Sequence, residues 1–284
     1  MPRITAAIPT YNRARYVGEA IESVLGQTYQ DLEVLVVDDG STDETPEIVG
    51  RFGDRVRYLR QENGGRSAAR NAAVEAARGE LIAFCDSDDR WLSDKLERQV
   101  AALRDGVGMV HGHIEAIDPD GRVLPKETKF HQSLFREAHR GGVTYARYAW
   151  DCRCFSSTVL IRAEAFERVG LYDPQLLLDD YDLYLRLALE YEIVFLNEPP
   201  LSQYRLHPEQ MTSYELTTGQ IQTAEKHLRL LDARRGVPDE RRARRNFNLM
   251  LARSHRVLGN RRAARGPAVR AAALGAPQAL RFLL

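Results

Sequence analysis

Four short apolar runs in the first 85 residues, each stopped by polar or acidic residues, restrict the architectures open to this chain more than anything else in it. They occupy residues 4–8, 32–37, 56–59 and 81–85. Near-continuous apolar runs of that length are the pattern of strands covered on both faces. Helical periods fill the intervals. Residues 15–25 put Tyr16, Val17, Ala20, Ile21, Val24 and Leu25 on one face, and residues 67–77 are rich in alanine and stop at Gly79. Ser41 or Thr42 can cap a further helix that carries Asp43 and Glu44 in its first turn. Strand–helix alternation of this kind predicts a mostly parallel, doubly wound sheet with helices on both faces.

Such sheets bind ligands beyond the carboxyl ends of their strands. Those ends carry Pro9-Thr10-Tyr11-Asn12, Asp38-Asp39-Gly40-Ser41 and Asp86-Ser87-Asp88-Asp89, so three strands deliver polar groups to one crevice. Clustered carboxylates at the end of a buried strand repel one another unless a cation lies among them. Hard oxygen ligands suit Mg²⁺ or Mn²⁺, which often share their coordination with substrate phosphates. Taken alone, an Asp-x-Asp is more simply a solvated turn that caps the next helix, so the case rests on convergence.

Beyond residue 90 the pattern changes. Trp91 opens an amphipathic segment expected to be helical to about Arg104, and residues 109–117 read as one strand, turned back at Asp118-Pro119-Asp120-Gly121. Residues 125–150 are polar and irregular, the pattern of a loop. Residues 157–161 are expected to form a strand and 162–169 a helix. Asp179-Asp180-Tyr181-Asp182 place acids in the first turn of a helix that continues through Leu189. Residues 193–196 read as a strand, and Tyr204-Arg205-Leu206-His207-Pro208 follow.

Composition narrows the class. Of 284 residues, 44% are hydrophobic and 28% charged, enough apolar mass for a sizeable core. Forty basic and 40 acidic residues give no net charge, which argues against nucleic acid as a partner. Cys85, Cys152 and Cys154 have neither a disulfide nor a zinc spacing, and the Cys-x-Cys pair reads as two small buried side chains. No signal-peptide pattern and no apolar run near the roughly 20 residues needed to span a bilayer are present. The expected compartment is the cytoplasm, with the inner face of the membrane as a peripheral site.

Six motifs in order then carry a resemblance: Ile8-Pro9-Thr10-Tyr11-Asn12-Arg13, Val37 through Asp43, Gly65-Arg66-Ser67-Ala68-Ala69-Arg70-Asn71, Phe84 through Trp91, Asp179 through Leu183, and Tyr204 through His207. Over residues 1–215 the chain resembles the nucleotide-sugar-dependent glycosyltransferases of family 2, which have the GT-A fold. The resemblance implies an α/β, Rossmann-like, mostly parallel sheet flanked by helices, forming a catalytic domain over residues 1–215, with residues 216–284 as an α-helical C-terminal extension. It implies that Pro9 and Tyr11 border the nucleobase, that Thr10 belongs to the donor site, that Asp39 accepts the imide N–H of a uracil or thymine ring, and that Arg66 faces base or diphosphate. Asp86 and Ser87 would belong to the donor site, Asp88 would ligate Mn²⁺ or Mg²⁺, and His207 would be a late metal ligand. Asp180 matches the family's catalytic base, and one base with one metal implies a single inverting displacement. Asp89 is expected only to cap, Asp182 to be a surface or helix acid, and Arg70 and Asn71 to pack or hydrogen-bond. The implied partners are a nucleotide-diphospho-sugar, of UDP or TDP type, and a carbohydrate or lipid-linked acceptor. A non-catalytic sugar- or nucleotide-binding relative, and a nucleotidyltransferase on a similar sheet, are the competing classes. The second would want a glycine-rich basic loop after the first strand, where Pro9-Thr10-Tyr11-Asn12 stand instead.

From about residue 217 only helical periods remain. Arginines dominate their exposed positions: Arg234, Arg235, Arg241, Arg242, Arg244, Arg245, Arg261, Arg262 and Arg265. Such a surface is equally the solvated face of a small helical unit and a contact for an anionic membrane or a polyprenyl-phosphate-linked acceptor. An apolar stripe on the same helices leaves homo-oligomerisation as a third reading.

Overall fold

A computed structural model describes residues 3–139, 142–209 and 213–283. Its main sheet begins as the alternation predicts, with β1 (Ile4–Thr10), β2 (Leu32–Asp38), β3 (Arg57–Arg60) and β4 (Leu81–Phe84) separated by α1 (Val17–Leu25), α2 (Thr45–Gly50) and α3 (Arg66–Ala76). After β4 come β5 (Arg90–Trp91), α4 (Lys95–Ala101), β6 (Val107–Gly112) and β7 (Ile114–Ile117). Then follow α5 (Pro125–His139), α6 (Tyr145–Tyr148), β8 (Leu160–Arg162), α7 (Ala163–Val169), α8 (Asp179–Glu190), β9 (Glu192–Leu196) and β10 (Ser202–Arg205). The chain closes with α9 (Ser213–Ala233), α10 (Glu240–Val257), α11 (Arg261–Ala273) and a 3₁₀ segment, Pro277–Leu283.

Seven strands form the main sheet in the order β3-β2-β1-β4-β8-β6-β9. Every pairing is parallel except the two made by β8. Strand alternation divides the core between the two faces. Ile4, Ala6, Ile8, Val34, Val36 and Ala83 pack with α1, α2 and α4, while Ala7, Leu35, Val37, Ile82 and Phe84 face α3, α6 and α8. The second cluster is continuous with Ala224, Leu231, Phe247, Met250 and Leu251 of α9 and α10. Helices α9 and α10 are therefore built into the core of the main sheet, while α11 and the final 3₁₀ segment form a small separate cluster with Leu249.

Four expectations need correction. Trp91 does not open a helix: it pairs with Ser202 in β5, and the helix starts only at Lys95. The strand read across residues 109–117 is two strands in different sheets, broken at His113 so that β7 can join β10. Residues 125–150 hold α5 and α6 rather than a loop, although residues 140 and 141 lie outside the described residues. The strand expected at 157–161 is a 3₁₀ turn over Ser156–Thr158 followed by β8. Among the described residues, no helix is long and apolar enough to cross a membrane.

Candidate active site

The acidic loop bridges two sheets, and that fixes its geometry. Its chain leaves β4 of the main sheet at Cys85 and enters β5 of the small sheet at Arg90, so residues 86–89 have no freedom to splay. Antiparallel pairing of β5 with β10 carries residues 204–207 alongside the loop. The Arg205 N–H donates to Asp89 Oδ1 at 2.9 Å, and His207 Nε2 lies 3.1 Å from Asp88 Oδ2. Arg13, in the turn after β1, places Nε 3.4 Å from the same Asp88 oxygen. Burial acts to raise the Asp88 pKa, but the His207 hydrogen bond and the Arg13 charge outweigh it and hold the carboxyl below its ordinary range.

Asp89 is not a cap. It is 2% exposed and accepts from Ser157 Oγ and the Arg205 backbone. Arg205, fully buried, ties the loop to its surroundings through Asp88 O (2.7 Å), Pro119 O (3.0 Å) and Glu19 Oε2 (2.7 Å). The sequence placed Arg205 beside the expected ligand His207 and gave it no role. Its signal lies in tertiary structure, since its acceptors come from three distant segments.

A second carboxylate cluster surrounds Arg70. This guanidinium projects from α3 and donates to Asp179 Oδ1 at 3.0 Å, Asp86 Oδ1 at 3.2 Å and Ser156 Oγ at 3.1 Å. Arg66, more exposed, lies 3.4 Å from Asp179 Oδ1. Asp179 also accepts from Ser67 Oγ, at 2.8 Å. Asp180 stands in the first turn of α8 beside this cluster. Burial raises its pKa, Arg70 opposes that, and the neighbouring Asp179 adds to it, leaving the carboxyl above its ordinary value. Asp86 is raised in the same way, by burial against Arg70 and with Asp88 adding to it. Arg70 is thus the cation that three acids share, a larger role than the packing or hydrogen bonding expected of it.

Asp182 also differs from expectation. It is fully buried, and its two oxygens meet Arg186 (2.9 Å), Lys226 (2.9 Å) and His227 (3.1 Å). Two of these partners belong to α9, so the first turn of α8 is held by a C-terminal helix. Cys152 and Cys154 are free and half-buried, packed against the core where it forms the wall of the cavity.

At the other end of the crevice, Asp39 accepts from Gln61 Nε2 (2.7 Å) and the N–H groups of Gly64 (2.9 Å) and Gly65 (2.8 Å). Gly65 has φ of +86°, which turns its N–H toward the acid, and a Cβ on Gly64 would fall 2.8 Å from the Ala68 methyl. Helix α2 is not capped by Ser41 or Thr42: Asp43 Oδ1 accepts the Thr45 N–H, and Ser41 Oγ instead accepts the Asn12 N–H.

One cavity of about 1670 Å³ joins these groups. Pro9, Thr10, Tyr11, Asp39, Arg66, Asp86, Ser87, Asp88 and Asp180 all line it, and His207 reaches it through Asp88. Asp88 and His207 also fit a divalent cation. Asp88 Oδ2 and His207 Nε2, 3.1 Å apart, are close enough that both would serve one such ion. No third His, Cys, Asp or Glu among the described residues completes a metal cage. That donor set suits a cation that takes its other ligands from substrate phosphates and water.

Comparison with known proteins identifies the family. The family model described as Glycosyl transferase family 2 matches residues 5–170. An uncharacterized glycosyltransferase of Rickettsia prowazekii is 33% identical over 229 residues, an alignment that covers 76% of this chain and 67% of that protein. Among solved structures, Staphylococcus aureus TarS in complex with UDP-GlcNAc superposes with a TM-score of 0.68 at 20% identity, over 89% of this chain and 73% of that one. The mannosyltransferase PcManGT of Pyrobaculum calidifontis, in complex with GDP-Man and Mn²⁺, gives 0.68 at 23% identity, over 99% and 78%. At such identities the structural likeness concerns the fold.

Proposed function

The chain belongs to family 2 of the glycosyltransferases and has their GT-A fold, and from that premise we propose that it moves a sugar from a nucleotide-diphospho-sugar to an acceptor hydroxyl with inversion at the anomeric carbon. The observation that carries this reading is that Tyr11, Asp39, Asp86, Asp88 and Asp180 all line one cavity. Residues 1–215 supply the donor site, and residues 216–284 close the acceptor side.

Tyr11, 45% exposed, offers its ring to the nucleobase beside Pro9 and Thr10. Asp39 has three N–H donors for about four lone-pair positions, which leaves acceptor capacity on Oδ2. That oxygen accepts an imide N–H, which uracil and thymine have and cytosine lacks. Arg66 faces the diphosphate, and Asp86 and Ser87 complete the donor contacts. Asp88 and His207 hold a divalent cation, and carboxylate with imidazole suits Mn²⁺ better than Mg²⁺. That cation supplies neutralisation of the charge that develops on the diphosphate. Asp180 takes the proton of the attacking hydroxyl, and its raised pKa makes it a stronger base than an ordinary carboxylate.

Thermal shift with UDP, TDP, GDP and CDP in the presence of Mn²⁺ tests the donor reading. Stabilisation by UDP or TDP alone is expected. Stabilisation by CDP would remove Asp39 from base selection, and a protein indifferent to all four would overturn the reading.

The acceptor, on this reading, is a carbohydrate or a lipid-linked sugar, and the outer face of α11 meets an anionic membrane. Arg261, Arg262 and Arg265 are exposed on that face around Val269, and α11 contains no acid. Co-sedimentation with phosphatidylglycerol vesicles at low salt should detect the contact, and a protein left in the supernatant would dismiss it.

A further inference from the structure

The cavity is larger than one substrate needs. Pockets that enclose a single small ligand run to roughly 300–1000 Å³, against about 1670 Å³ here. Its lining is also mixed in character. The C-terminal elements add Leu249, Met250 and Phe282, with Leu249 and Phe282 packed together and Met250 against Tyr181, and Trp150 lines the cavity just beyond α6. Trp150 leaves 51% of its surface exposed, an unusual state for the largest apolar side chain on a cavity wall. Such an open indole face suits the C–H face of a pyranose ring. Two cations accompany it. Arg253, one turn beyond Leu249 on α10, and Arg281, beside Phe282 in the final 3₁₀ segment, line the same cavity, both exposed. Neither has a carboxylate within ion-pair distance among the described residues, whereas Arg234 meets Glu190 and Arg244 meets Asp232 and Glu240 on neighbouring surface. Arg281 instead lies over the Phe282 ring, 5.0 Å from its centroid.

We propose that this part of the cavity is an acceptor subsite in which Trp150 stacks on a sugar ring while Arg253 and Arg281 receive an anionic group, a phosphate or a carboxylate, on the acceptor. The proposal rests on the glycosyl-transfer reading above and names its acceptor class. Guanidinium groups match both oxyanions in bidentate geometry, so the two sources share one chemistry. It also gives the C-terminal helices a direct part in substrate choice, because two of the three recognising side chains follow residue 215.

The test measures binding by the full chain with UDP and Mn²⁺ present. Three probes are titrated by saturation-transfer NMR: methyl glucoside, methyl glucuronide and glucosyl-diphospho-undecane. At least one anionic probe should bind about tenfold more tightly than methyl glucoside. Which of the two prevails separates a sugar acid from a lipid-linked phosphate. The double substitution Arg253→Gln/Arg281→Gln should erase that preference without changing UDP affinity, and Trp150→Ala should weaken all three probes. Equal binding of the neutral glucoside, or an anionic preference that survives the double substitution, would overturn the proposal. Failure of wild-type protein to bind UDP would instead remove the transfer reading on which it rests.

Discussion

Nε2 of His227, on α9, lies 3.1 Å from Oδ1 of Asp182, on α8, and both side chains are fully buried. The other ring nitrogen, Nδ1, is 3.1 Å from the Tyr145 hydroxyl of α6. Lys226 and Arg186 complete the shell of the carboxylate. Three helices are therefore fastened through one acid, two positions beyond the residue assigned as the base.

Removing that acid should be costly. Asp182→Ala strands buried donors and is expected to lower stability by about 3–5 kcal/mol, the range for breaking a buried ion pair. Burial opposes the ionised form of Asp182, but His227 and Arg186 hold its folded pKa well below the unfolded value of about 3.9. The stabilisation is accordingly complete above about pH 4 and lost as pH falls through the folded pKa. Urea unfolding at pH 7 and at pH 3 checks both statements: the gap between variant and wild type should shrink in acid.

Asp180→Asn should leave UDP binding unchanged and cut transfer by about 10²–10⁴, the usual worth of a positioned base. Because burial raises the Asp180 pKa, the acid limb of kcat/KM should fall above the ordinary carboxylate range. Arg70 is the cation that opposes this rise. Arg70→Gln should move the limb further toward neutral pH, and Arg70→Lys, which keeps the charge, should move it less. An acid limb indifferent to residue 70 would assign the base elsewhere.

Asp88→Ala and His207→Ala probe the cation. Each is expected to weaken UDP binding in Mn²⁺ by about 10–100-fold and to leave the much weaker binding in EDTA nearly unchanged. Calorimetric titration with and without the metal reads the difference. Equal losses in both conditions would mean that the two residues support the loop without ligating.

Lys95 offers a prediction away from the chemistry. Its ammonium is fully buried, 2.7 Å from Gln99 Oε1, 3.3 Å from Val159 O and 4.0 Å from the centroid of Trp91. Burial pushes its pKa down to about 7. Between about pH 7 and 10 the unfolded chain holds one proton more than the folded one, so this residue makes stability rise with pH across that window. Lys95→Met should flatten the rise. Melting temperatures at pH 7 and 9.5 decide the matter, and parallel changes in variant and wild type would count against it.

The parts of the fold that sequence revealed are those in which local pattern and tertiary role coincide. Strands β1, β2 and β4 are apolar on both faces because helices cover both faces, so each announces itself and points to its polar end. Helix α5 failed that test: only Thr128, Phe135, Ala138 and His139 of its 15 residues are buried, too thin a stripe to register as a helical period. Asp88 was distinguishable from Asp86 through the family motif, but Asp89 was not distinguishable from a cap, because its donors come from Ser157 and Arg205. Asp182 escaped for the same reason. An acid in the first turn of a helix is ordinary, and only folding brings its partner across 45 residues.

That separation has a consequence in time. During synthesis at about 5–20 residues per second, roughly two to nine seconds pass between the addition of Asp182 and that of His227. Throughout that interval the nascent chain carries the carboxylates of the crevice, and Arg186 beside Asp182, but not the α9 donors Lys226 and His227. The site can acquire its final shape only once α9 has docked, so a growing chain holds the reacting groups before it can align them.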